Sequence, residues 1–104
     1  MGFIIIYITH KDIQDAKRVV NPLLEKRLIA CANLIPIESL YRWKGKIEHE
    51  NEVVSIVKTR KDNWDKVRRE VKRMHPYDVP CIMKIEVEAN HDYEQWINDE
   101  TLFP

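Results

Sequence analysis

Two stretches that read as strands, from residue 31 to about 43 and from 46 to 60, flank the glycine of Lys44-Gly45-Lys46. Each is about twice the usual five or six residues, and Gly45 is the natural turn between them. A ribbon of that length cannot lie wholly inside a core built by 104 residues, which is about one ordinary domain. Its end must project. That end carries Tyr41 and Trp43, two apart and so on one face. An isolated two-stranded ribbon is marginal in water, so these rings need a cover, and the economical cover is another copy of the chain.

The flanking patterns fix what the ribbon attaches to. Phe3 to Ile8 is apolar without alternation, as expected of a central strand covered on both faces. Thr9 and Asp12 have the spacing of a capping box before apolar residues at Ile13, Ala16, Val19, Val20, Leu23, Leu24 and Leu28, one helical stripe. Pro22 inside that stripe predicts a kink costing about 3 kcal/mol unless relieved, or two helical pieces with Asn21 capping the second. Asp62 is placed to cap a second helix with Trp64, Val67, Val71 and Met74 inward. On its wet side Asp65 pairs with Arg69 and Lys66 with Glu70, and Pro76 ends it. Cys81, Met83, Ile85 and Val87 alternate with Ile82, Lys84, Glu86 and Glu88 as a strand with one buried face. A short last helix, about 92 to 99, would bury Tyr93, Trp96 and Ile97. The order strand, helix, strand, strand, helix, strand, helix, joined by right-handed crossovers, predicts an α+β ferredoxin-like split βαβ sandwich. It forms a single domain over residues 1–104, without internal repeat or linker.

Composition narrows the function by exclusion. Seventeen basic residues balance seventeen acidic ones, so overall charge gives no reason to expect nucleic acid or an anionic membrane as partner. The six-residue run Phe3 to Ile8 is too short to span a bilayer, and no basic stretch precedes it. The expectation is a cytoplasmic protein with Cys31 and Cys81 as reduced thiols, and no CxxC or HxxxH suggests structural zinc.

Chemistry concentrates in "RMHPYDVPC", residues 73–81. His75 stands at the end of the second helix, where the dipole favours a protonated ring and where a neutral ring could take copper, nickel or zinc. The plain alternative is a cap packed beside Tyr77. Cys31 and Cys81 read as buried, inert fillers. In "EHENE", Glu48, Glu50 and Glu52 share one strand face about 7 Å apart, either a surface for a divalent cation or a solvated edge that deters sheet aggregation. His10 and His91 read as surface residues. Lys58, on the side of Val54 and Ile56, either meets an anion or a carboxylate in a cleft or snorkels at the strand end. No nucleophile elbow, phosphate loop or paired carboxylates suggest a reaction. Residues 53–60 lack the stacking aromatics of an RNA-recognition sheet.

Five blocks together, "LEKRLIACANLIP" (24–36), "YRWKGKIE" (41–48), "VKTR" (57–60), "HPYDVPCI" (75–82) and "YEQWI" (93–97), resemble the CutA family of divalent-cation tolerance proteins over essentially the whole chain. The resemblance implies a ferredoxin-like subunit in a homotrimer, similar to the PII signalling proteins, with Tyr41, Trp43, Lys58, His75 and Tyr77 at clefts between subunits. It implies a non-enzymatic protein that binds copper or another divalent cation, with His75 as the metal ligand and no organic cofactor. The alternative is a PII-like regulatory or scaffold trimer whose clefts hold a small anion, through Lys58 and His75, or a protein partner. The family's bacterial copper binders are associated with a cysteine near the end of strand one and two adjacent histidines before "PY". Here Ile8 and Met74 occupy two of those positions and His75 the third.

Overall fold

The computed structural model describes residues 2–102, so residues 1, 103 and 104 of the expected domain lie outside the description. In chain order it contains β1 (Phe3–His10), α1 (Ile13–Glu25), β2 (Cys31–Trp43) and β3 (Lys46–Thr59). A single 3-10 turn (Lys61–Asn63) leads into α2 (Trp64–Met74), followed by β4 (Ile82–Val87) and α3 (His91–Glu100). The sheet order is β2-β3-β1-β4 with every neighbouring pair antiparallel. This is the ferredoxin-like arrangement expected from the pattern, with β1 central and β2 and β4 at the edges.

Alternation along β1 and β3 decides where the core lies. Ile4, Ile6 and Ile8 share a face with Val57, and all are at most 1% exposed. They pack against Val19, Val20 and Leu23 of α1 and Val67 and Val71 of α2, each such side chain contributing about 2 kcal/mol by leaving water. The opposite face is thinly covered. Tyr93 of α3 meets Phe3 edge-on at 6.1 Å, but Ile35, Met83 and Ile85 remain 43–50% exposed. The expected double cover of β1 and the expected buried face of β4 are therefore corrected: both helices α1 and α2 lie on one side, and the short α3 reaches only one end of the other.

Several local expectations also shift. α1 is one helix through Pro22, capped by Asp12, whose side chain accepts from Asp15 N–H at 2.7 Å. Thr9 belongs to β1, and Ile13 and Leu24 face solvent. Asp62 does not cap α2. It sits in the 3-10 turn, and the capping position falls to Asn63. Asn63 instead spends its amide on three oxygens: Leu28 O, Thr59 Oγ1 and Leu102 O, each at 3.1 Å. The ion pairs of α2 run at a spacing of three, Arg68 to Asp65 and Arg73 to Glu70, with Lys26 of the α1–β2 connection also on Glu70. In α3 only Ile97 of the three expected residues is fully buried, and Trp96 is 41% exposed.

The ribbon is as long as the sequence suggests. Thirteen cross-strand pairs run without a bulge from Cys31↔Lys58 to Trp43↔Lys46. Lys44 and Gly45 close it at φ +50° and +80°, the two left-handed residues of a type I′ hairpin turn. The projecting tip stretches the molecule to 45 Å along one axis against 25 and 21 Å along the others.

Candidate functional site

The register of the ribbon builds one wall of a groove. Ile37 faces Glu52, Ser39 faces Glu50 and Tyr41 faces Glu48, so three carboxylates of β3 line up beside Ile37, Ser39 and Tyr41 of β2 on the same surface. The other wall is the loop from α2 to β4. There Pro76 forces His75 out of helical geometry, to φ −78° and ψ 133°, and the chain turns so that Tyr77 points back at the sheet. The open groove between the two walls, about 1010 Å³, reaches Tyr7 and Thr9 of β1, Trp43 at the ribbon tip, and Asp78, Val79 and Cys81 of the loop.

Glu52 holds the two walls together. The Tyr77 hydroxyl donates to Glu52 Oε2 at 2.6 Å, the short length of a charge-assisted bond. Glu52 is only 8% exposed. Among the described residues no cation pairs with it and its second oxygen takes no hydrogen bond. Burial, then the bond to Glu52, raises the Tyr77 hydroxyl well above the ordinary tyrosine range. Tyr41 is raised by partial desolvation and by Glu50, with Glu52 and Glu48 adding to it. Burial and the charge of Glu52 push the Cys81 thiol up as well, so it stays protonated and weakly nucleophilic at neutral pH.

His75 faces inward behind Tyr77, its ring 4.6 Å from the tyrosine ring and its residue 8% exposed. Its Nε2 lies 2.7 Å from Thr9 O, and its Nδ1 lies 3.2 Å from the Tyr77 backbone nitrogen. A carbonyl needs a donor and an N–H needs an acceptor, so the ring is the Nε2–H tautomer with both nitrogens engaged. Beneath it His10 stacks at 5.6 Å and meets Ser55 Oγ at 2.8 Å through Nε2. His10 is fully buried, which corrects its reading as a surface residue. It follows Ile4, Ile6 and Ile8 at even spacing, so the alternation of β1 carries it to the core face. Its Nδ1 has no partner.

Of the five residues expected at a cleft, Tyr41, Trp43 and Tyr77 line the groove, and His75 supports it from behind. Lys58 stands apart within the chain, six residues along β3 from Glu52 and so about 20 Å away, with its ammonium donating to the Tyr93 hydroxyl at 3.1 Å. Cys31 and Cys81 are half-buried, not fully buried as expected. Tyr7 was not singled out by sequence, and only the pairing of β1 with β3 brings it here. The residues do not fit a copper centre of cysteine and two histidines: Ile8 is fully buried in the core, Met74 packs against that core, and His75 has no free nitrogen. Among the described residues, no three His, Cys, Asp or Glu side chains group closely enough to hold a metal ion. No helix among the described residues is long and apolar enough to cross a membrane.

A family model described as CutA1 divalent ion tolerance protein matches residues 4–100. A divalent-cation tolerance protein CutA from Pyrococcus horikoshii is 48% identical over 99 residues, covering 94% of this chain and 97% of that protein. Its counterpart from Archaeoglobus fulgidus is 47% identical over 98 residues, covering 93% and 95%. The crystal structure of CutA1 from Pyrococcus horikoshii superposes with a TM-score of 0.92 at 47% identity, over 95% of this chain and 98% of that one. A structure of the periplasmic divalent cation tolerance protein CutA from Archaeoglobus fulgidus gives 0.91 at 44% identity, over 96% and 98%.

Proposed function

Since the chain belongs to the CutA1 family of divalent ion tolerance proteins, we propose that it works as a homotrimeric, non-enzymatic binder of divalent cations, copper among them, in the cytoplasm. The observation that carries the reading is the row Glu48–Glu50–Glu52 along one wall, whose Glu52 is 8% exposed and held by the Tyr77 hydroxyl but, among the described residues, by no cation. Carboxylate oxygens in a row are ligands for hard divalent cations. The trimer accounts for two further features. It would cover the open sheet face at Ile35, Met83 and Ile85, and it would bring together, from neighbouring copies, the ligands that one chain does not gather around a point. Copper at His75 would take Nδ1 and displace the Tyr77 N–H. Two unpaired thiols suit a reducing compartment. The acidic lining speaks against the alternative of a small anion in the groove.

Calorimetric titration of metal-free protein with Cu(II) tests this, beside His75→Ala and Glu52→Gln, with the mass read by light scattering. Saturable uptake by a trimer is expected, and the variant that loses it names the ligand. A monomer at working concentration, or no uptake above non-specific levels, would sink the respective half of the reading.

A further inference from the structure

The bare face of the sheet carries an unmatched charge of opposite sign toward each end. Val57 of β3 points into the core beneath the helices, so the even-numbered residues Lys58 and Glu52 of that strand stand on the other face. Around and between them Ile35, Met83 and Ile85 leave apolar surface 43–50% exposed. Among the described residues neither charge has a counter-ion. The Lys58 ammonium donates to the Tyr93 hydroxyl, and Glu52 accepts from the Tyr77 hydroxyl through one oxygen only. An ammonium has three protons to donate, and about 20 Å of strand keeps the two from meeting within one chain.

Covering this face changes what both groups cost. A charge withdrawn from water without an opposite charge is strongly disfavoured, so a second copy cannot lie over the apolar strip and leave Lys58 and Glu52 unmatched. Two copies laid with like ends together would set ammonium against ammonium and carboxylate against carboxylate, which repulsion rejects. Laid with unlike ends together, they bring a cation to the second oxygen of Glu52. Three copies in a closed ring repeat that contact three times and leave no charge over. A free metal ion on Glu52 would neutralise the carboxylate but leave the apolar strip and Lys58 as they were. The face therefore fits a second copy better than a lone ion.

We propose that neighbouring copies associate head to tail across this face, with Lys58 of the partner subunit pairing with the second oxygen of Glu52. The proposal rests on the trimer half of the functional reading and leaves Glu48 and Glu50 to a metal ion. It is tested on the intact protein by charge reversal, with mass read by light scattering over a dilution series in sub-denaturing urea and the fold checked by circular dichroism. Lys58→Glu and Glu52→Lys should each raise the concentration at which the trimer dissociates at least tenfold. The double reversal should recover most of that loss, and at 20 Å within one chain such recovery reports a contact between copies. Where a reversal does not fold, Lys58→Met and Glu52→Gln carry the test: each should lower the thermal midpoint, and the two together by less than their sum. A trimer indifferent to the single reversals, a double reversal no better than the singles, or additive midpoints in the neutral pair overturns the proposal and returns Glu52 to a metal ion or another protein. Those results leave the trimer standing, whereas a parent that is monomeric at working concentration overturns both.

Discussion

His10 shows what a single residue contributes to the pH behaviour of the molecule. Burial first, then the neighbouring His75, lowers its pKa from 6.5 to about 4, with Arg18 acting the same way and Asp15 and Glu52 opposing. The folded chain keeps the ring neutral, whereas the unfolded chain takes up a proton below about pH 6.5. Stability from this residue is therefore complete above pH 6.5 and is lost as pH falls through 4, amounting to about 3 kcal/mol. His10→Gln keeps a polar partner for Ser55 and removes the titration. Guanidinium midpoints measured from pH 7 to 4 should fall less in that variant than in the parent. The burial of His10 was not legible in sequence, because the uniformly apolar run from Phe3 to Ile8 names no inner face; the even spacing with Ile4, Ile6 and Ile8 matters only once both long helices share one side of the sheet. Nor was the Tyr77–Glu52 bond, because a loop of unknown path joins residues 25 apart.

At the scale of elements, periodicity located the four strands and three α-helices of the described residues, and capping chemistry located their ends less well. Asp62 has the right side chain for a cap, yet the 3-10 turn uses it up, and tertiary demand draws Asn63 to three backbone and side-chain oxygens instead. That amide ties the end of β3, the α1–β2 connection and the segment after α3 into one knot, which Arg27 reinforces by donating to Asp99 O and Glu100 O. Asn63→Ala takes the donor from Thr59 Oγ1 and Leu102 O, while Leu28 O keeps the Thr59 hydroxyl at 2.6 Å, at a cost of about 1–3 kcal/mol. Chemical denaturation measures the loss, and hydrogen exchange should show it first at α3. Pro22 behaves more mildly than its position suggests. The helix passes through it, and Lys26 N–H still donates to Pro22 O at 3.0 Å.

For the whole molecule, zero net charge conceals a division: cations such as Lys66, Arg69 and Lys72 lie on α2, and carboxylates crowd the ribbon. Apolar surface is divided too, with the core on one side of the sheet and exposed Ile35, Met83 and Ile85 on the other. A folded chain that leaves such a face open gains stability by associating through it. The thermal midpoint should therefore rise with protein concentration, and Ile85→Lys should abolish the rise while the isolated chain stays folded. A midpoint independent of concentration over two decades would argue for a self-sufficient monomer. Sequence announced this need for a partner through the overlong ribbon, but placed it at Tyr41 and Trp43, because the bare face of β4 appears only once the helices are seen to share a side.

The hairpin also carries a message about time. Pairing Trp43 with Lys46 closes a loop of two residues, whereas joining Phe3 to Val87 closes one spanning nearly the whole chain. Loop closure costs least where contacts are local, so the two arms should zip from Lys44-Gly45 outward while β1 and β4 are still searching. Rate-equilibrium analysis of core substitutions should then give larger φ-values at Val54 and Val57 than at Ile82. On that order of events, the acidic wall is laid down before the core it hangs from is closed.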